Sequence, residues 1–117
     1  MESSRVTDLT YLKEASANNM RFLREMIEIF LKQTPGLIAS LHTASRDKNW
    51  IEFRRIMHKL KPSITMMGIH ELETDILKID NAVKNGIEIE LLPLLLQKFE
   101  EVCNSSYEEL RNELKLL

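Results

Sequence analysis

The stretch Trp50-Ile51-Glu52-Phe53-Arg54-Arg55-Ile56-Met57-His58-Lys59-Leu60-Lys61-Pro62-Ser63-Ile64-Thr65-Met66-Met67-Gly68 decides the fold. Trp50, Phe53, Met57, Leu60, Ile64 and Met67 recur at alternating steps of three and four, the seam of a helix packed lengthwise against neighbours. Gly68 then offers a left-handed stop. A matching seam follows at Ile69, Leu72, Ile76, Ile79 and Val83 and closes at Asn85-Gly86, so the two stretches predict an antiparallel helical hairpin.

Working outward, Asp8 can cap a short first helix carrying Leu9, Tyr11 and Leu12, which Ser16 to Asn19 breaks. Met20, Leu23, Ile27, Phe30 and Thr34 form the stripe of a second helix. Phe22, Met26 and Ile29 widen that stripe and predict burial over much of its circumference. Pro35 is expected to end this helix and to start another carrying Leu37, Ile38, Leu41 and Ala44. On the far side of the hairpin, Pro93 opens a long helix with an inner face of Leu92, Leu95, Leu96, Phe99, Cys103, Leu110 and Leu114, weakly interrupted at Ser105 and Ser106. Short connections between long amphipathic helices favour antiparallel neighbours. The expected fold is therefore all-α, an antiparallel up-down four-helix bundle with additional short N-terminal helices, formed by residues 1–117 as one domain.

Composition agrees. Leu, Ile, Val and Phe supply 36 of 117 residues, enough for a core, while three Gly and three Pro are too few for the turns of an all-β fold. No run approaches the roughly 20 apolar residues of a membrane span, and the start, Met1 to Leu9, lacks an apolar signal core, so a cytoplasmic protein without a membrane partner is expected. A single Cys excludes internal disulfides and Cys-based zinc sites. Cys103 reads as a small buried hydrophobe. His42 and His70 lack the spacing of metal ligands and read as surface residues, so no metal site is expected. The acidic residues Glu100, Glu101, Glu108, Glu109 and Glu113 read as a solvated face of the last helix.

The net charge of −2 argues against a nucleic-acid partner, but it is unevenly spread. Between Arg46 and Lys61 stand six cations (Arg46, Lys48, Arg54, Arg55, Lys59 and Lys61) against Asp47 and Glu52. At 100° per residue, His58 points about 130° away from the seam of its helix, toward solvent. Arg54, Arg55, Lys61 and Pro62 share its face, with Ile51 and Thr65 one turn further in each direction. Neutral imidazole is a nucleophile. If its nitrogen takes a phosphoryl group, the new negative charge lies where Arg54, Arg55 or Lys61 can meet it with charge-assisted hydrogen bonds. A solvated cationic helix face with no task is the plain alternative on geometry alone.

The local sequence goes further. His58-Lys59-Leu60-Lys61-Pro62-Ser63, followed by Gly68 and Leu72, resembles the signature of histidine-containing phosphotransfer (HPt) domains: a His, an aliphatic residue at plus two, Lys at plus three, Ser or Ala at plus five, Gly at plus ten, and Leu or Ile at plus fourteen. Asp8-Leu9 with Tyr11-Leu12, and Phe22-Leu23 through Phe30-Leu31, resemble that family's first two helices. The resemblance implies a four-helix bundle of about this length acting as a phosphocarrier of two-component relays rather than an enzyme. His58 would be the phosphoacceptor and Lys61 a cation on the phosphoryl oxygens, with Arg54, Arg55 and Lys84 as further phosphoryl-stabilising residues. Ile51, Lys59, Pro62, Ser63, Thr65 and Gly68 would form the surroundings used for docking and packing. It implies response-regulator receiver domains and a hybrid sensor histidine kinase as partners, a monomeric carrier, and no cofactor of its own, Mg²⁺ belonging to the receiver. Two positions depart from the pattern. Pro62 replaces the usual Gly four residues after the His, and it cannot donate to the His58 carbonyl. Asp80 replaces a common Gln at plus 22, and a carboxylate there would repel phosphate, so Asp80 is expected to pair with Lys84 at i+4 and is not counted in the site. A docking-only signalling bundle, or the dimerisation and phosphoacceptor segment of a sensor kinase, are the alternative readings.

Overall fold

The computed structural model describes residues 5–117; the first four residues of the expected 1–117 domain lie outside the described residues. The chain is all-α: α1 Thr10–Ala15, α2 Met20–Arg46, α3 Trp50–Met66, α4 Glu71–Asn85 and α5 Leu92–Leu116, with a 3₁₀ turn at Ile89–Leu91 before α5. The four long helices form a ring in which α2 packs on α3, α3 on α4, α4 on α5 and α5 back on α2. The expected bundle is present, with one short N-terminal helix.

The proline-based boundary is corrected. Pro35 lies inside α2, which runs unbroken for 27 residues. Its buried stripe, Leu23, Ile27, Phe30, Thr34, Ile38, Leu41 and Ala44, passes the proline without losing register. Burial of that stripe against α3 and α5 outweighs the roughly 3 kcal/mol that a helix-interior proline costs. Pro35 itself faces solvent. The wide stripe is corrected too: Met20, Phe22 and Ile29 are exposed and Met26 is only partly covered, because α2 meets neighbours on one side.

The hairpin of α3 and α4 forms as expected. Asn49 caps α3, its side chain accepting from the Glu52 N–H. At the other end, Gly68 (φ +64°) makes a Schellman stop: the Ile69 N–H reaches the Ile64 carbonyl at 3.2 Å and the Gly68 N–H reaches Thr65 at 3.0 Å. Ile69, fully buried, supplies the accompanying apolar contact. α4 closes at Gly86 (φ +69°). Ser106 does not interrupt α5; it is buried, and its hydroxyl donates back to the Cys103 carbonyl at 2.6 Å. Cys103 is fully buried, which pushes its thiol up to about 12.

The acidic face of α5 is not simply solvated. Glu109 accepts the backbone N–H groups of Val6 and Thr7 at 2.8 and 3.0 Å, and the Thr7 hydroxyl at 2.6 Å. Glu113 pairs with Lys13 at 3.4 Å. These contacts strap the N-terminal segment across the bundle end, where the Asp8 N–H also donates to the Met67 carbonyl at 3.1 Å. His70 completes this corner, with its ring nitrogens 3.2 Å from Glu73 and 3.4 Å from Asp8. Its charged form is favoured, first by Glu73 and then by Asp8, so its titration moves upward. His42 bridges α2 to α5 through Glu100 at 3.0 Å.

Candidate functional site

The site is built on the outer face of α3. Phe53, Ile56, Met57, Leu60 and Ile64 are buried, which fixes the rotation of the helix and turns His58 to solvent with Arg54, Arg55, Lys61, Pro62 and Thr65. Ile51, one turn before Arg54 and Arg55, is 88% exposed. α3 continues through Pro62 to Met66. The Pro62 nitrogen carries no hydrogen, so the helical bond to the His58 carbonyl is missing at this point.

His58 sits on a ridge between two shallow hollows of the α3–α4 surface. One is lined by His58, Lys61, Pro62 and Thr65 from α3 and by Glu73, Ile76 and Leu77 from α4. The other, about 220 Å³, is lined by Ile51, Arg54, Arg55, Met57, His58 and Lys61 from α3 and by Asp80 from α4. Hairpin register explains the pairing. His58 lies eleven residues before Ile69 and Asp80 eleven after it, so the two stand level across the hairpin.

The cations are not equivalent. Arg55 is held by Glu52 one turn back, its Nε 2.8 Å from Glu52 Oε1 and its Nη2 on Oε2. This fork holds the Glu52 carboxyl below the usual range and raises the guanidinium. Arg54 and Lys61 make no ion pair among the described residues, so their charges are free to meet an anion beside His58.

Several residues expected near His58 lie elsewhere. Lys59 and Ser63 line a different groove, between α3 and α2, together with Met26, Ile29, Gln33 and Met66; Pro62 borders both sides of the helix. Gly68 is about 15 Å from His58 along α3, buried beneath Asp8, where a Cβ would fall 2.0 Å from the Asp8 carbonyl oxygen. Its task is the helix stop and the close strap crossing. Lys84 is exposed, one helical turn beyond Asp80, and borders neither hollow. The Asp80–Lys84 pair is absent, and Asp80, discounted from the sequence, lines the hollow of the histidine. The signal for it was the hairpin register, legible once Gly68 and Ile69 are taken as the corner.

With His58 exposed on a cationic helix face of the bundle, the sequence matches the Hpt domain over residues 25–116. The chain belongs to the Hpt domain family. The matched span runs from the first turns of α2 to the end of α5, so it takes in all four helices of the bundle and leaves α1 and the strap outside. Hpt domains carry phosphoryl groups by histidine phosphotransfer in two-component phosphorelays; they are phosphocarriers rather than autonomous enzymes, and they interact with receiver domains. Comparison with curated proteins and with solved structures gives no significant match. Among the described residues, no helix is long and apolar enough to cross a membrane and no group of three or more His, Cys, Asp or Glu is placed to hold a metal.

Proposed function

We propose that this Hpt domain takes a phosphoryl group on His58 from the phosphoaspartate of one receiver domain and passes it to the aspartate of another, the first receiver being that of a hybrid sensor kinase. The observation that carries this reading is the outward position of His58 between two unpaired cations, Arg54 and Lys61. A ring nitrogen of His58 attacks the phosphorus in line. The N–P bond forms as the bond between phosphorus and the aspartyl oxygen breaks, and the electron pair leaves with the carboxylate. The reverse transfer loads the second receiver. Lys61 and Arg54 meet the phosphoryl oxygens, while Arg55 serves mainly to hold Glu52 away from them. Lys84, one turn past the hollow, adds only long-range positive charge.

The magnesium ion and the acidic pocket belong to the receiver, so the bundle supplies a positioned nucleophile, charge and a docking face. Ile51 and Leu77, both exposed beside the hollows, are apolar contacts for the docked receiver. Pro62 and Thr65 line the hollow on the Leu77 side. The domain acts in the cytoplasm, where Hpt domains typically work, and as a monomer, since one His58 and one hairpin make the whole site.

Incubation with phosphorylated receivers tests this. Wild type is expected to take up an acid-labile, base-stable phosphate that His58→Gln does not take up. Equal labelling of His58→Gln would overturn the site assignment. A wild type that docks receivers yet takes no label from any of them would favour the docking-only reading.

A further inference from the structure

We propose that Asp80 acts as an electrostatic release residue: its carboxylate raises the energy of the phosphorylated form of His58 and biases the carrier toward onward transfer. This rests on the phosphocarrier reading above. Asp80 is half-buried on α4, stands level with His58 across the hairpin, and lines the same hollow of about 220 Å³. It makes no ion pair and no side-chain hydrogen bond among the described residues.

Charge decides the direction. With Arg55 balanced by Glu52, the hollow is left with Arg54 and Lys61 against Asp80. In the free carrier, the carboxylate offsets part of that positive charge. Once a phosphoryl group with nearly two negative charges is on the His58 ring, Asp80 faces a like charge across the hollow. Lys61 and Arg54 pull on the phosphoryl group while Asp80 pushes. Transfer to a receiver, in which the N–P bond breaks and a new aspartyl O–P bond forms, relieves the repulsion. In a hollow open to solvent, where the dielectric is close to that of water, such a like-charge interaction corresponds to about a three- to tenfold change in an equilibrium constant. Because the hollow is open to solvent, salt should weaken it.

The test uses the whole chain, with Asp80→Asn, Asp80→Glu and His58→Gln. Each protein is phosphorylated with a small-molecule phosphoramidate, which needs no docked partner, and the loss of phosphohistidine is timed; the equilibrium with a receiver is then measured for those that accept label. Asp80→Asn is expected to lengthen the phosphohistidine lifetime and to shift the equilibrium toward the carrier, by about three- to tenfold at low salt. Asp80→Glu should behave as wild type, and the difference should shrink as salt rises. An unchanged or shorter lifetime in Asp80→Asn, with wild type still exchanging phosphate with the receiver, overturns the release role and leaves the phosphocarrier reading standing. If His58→Gln labels as fully as wild type, the carrier reading falls and the release role falls with it. Asp80 makes no side-chain hydrogen bond or ion pair among the described residues and asparagine keeps its shape, so melting curves of Asp80→Asn should overlay those of wild type.

Discussion

Replacing Gly68 with Ala and, in parallel, Gly86 with Ala separates two costs that a left-handed glycine can carry. Both glycines have positive φ, +64° and +69°. A Cβ at Gly86 meets nothing within 4 Å, so Gly86→Ala bears only the left-handed backbone cost of about 1–2 kcal/mol, reduced by the smaller entropy that alanine gives the unfolded chain, for a net of about 1 kcal/mol. A Cβ at Gly68 falls 2.0 Å from the Asp8 carbonyl oxygen and 2.7 Å from its carbon. Those are backbone atoms that cannot swing aside, so the strap must lift. Lifting it loses the Asp8 N–H bond to the Met67 carbonyl, about 1 kcal/mol, and loosens the packing of Leu9, which is buried in the core. Together the expected loss is about 3 kcal/mol, so Gly68→Ala should fall about 2 kcal/mol below Gly86→Ala. Urea unfolding followed by far-ultraviolet circular dichroism at pH 7 reads both, and the gap corresponds to roughly 8 °C in melting temperature for a domain of this size. Equal stabilities within about 0.5 kcal/mol would refute the account of the strap crossing. Gly68→Ala that remains folded should still take phosphate at His58, some 15 Å away along α3.

Pro35→Ala should stabilise the protein by about 1–3 kcal/mol in the same assay, because Pro35 is exposed inside a continuous α2 and alanine restores a helical N–H; destabilisation would mean that the helix needs the proline. His70 offers a pH test. Its folded-state titration is raised by Glu73 and Asp8, so its contribution is fully present below about pH 6.5 and is lost as pH rises through its higher folded value. The stability gap between wild type and His70→Gln should therefore narrow on going from pH 6 to pH 9, and a gap that widens contradicts the clasp. Lys61→Ala should lower phosphotransfer or shorten the phosphohistidine lifetime several-fold while leaving the melting curve unchanged, since Lys61 is exposed and unpaired.

What the sequence made legible followed from periodicity. The seam from Phe53 to Met67 fixed the rotation of α3, and with it the outward direction of His58, because a buried stripe leaves no freedom in where the opposite face points. The Gly68 and Gly86 stops were legible for the same local reason. Pro35 misled because a backbone rule was set against packing: the step from Thr34 to Ile38 keeps the stripe of α2 intact, and seven buried side chains outweigh one missing N–H. Phe22 and Ile29 misled in the opposite sense: an apolar residue beside a stripe need not join the core, and Phe22 is exposed while Ile29 lines an open groove. Glu109 had no local signal at all; its partners are backbone groups more than 100 residues earlier in the chain. Asp80 was visible in the sequence as a misplaced charge at plus 22, and the register of the hairpin sets it level with His58 on the shared hollow.

His58 is the residue on whose phosphorylation the whole phosphocarrier reading stands. Phosphorus NMR of the protein after incubation with a phosphorylated receiver tests it most directly. One nitrogen-linked phosphate resonance, stable in base and lost in acid, is expected in wild type and absent from His58→Gln even though the variant is folded. The same resonance in His58→Gln, or a phosphate that proves to be oxygen-linked, would contradict it.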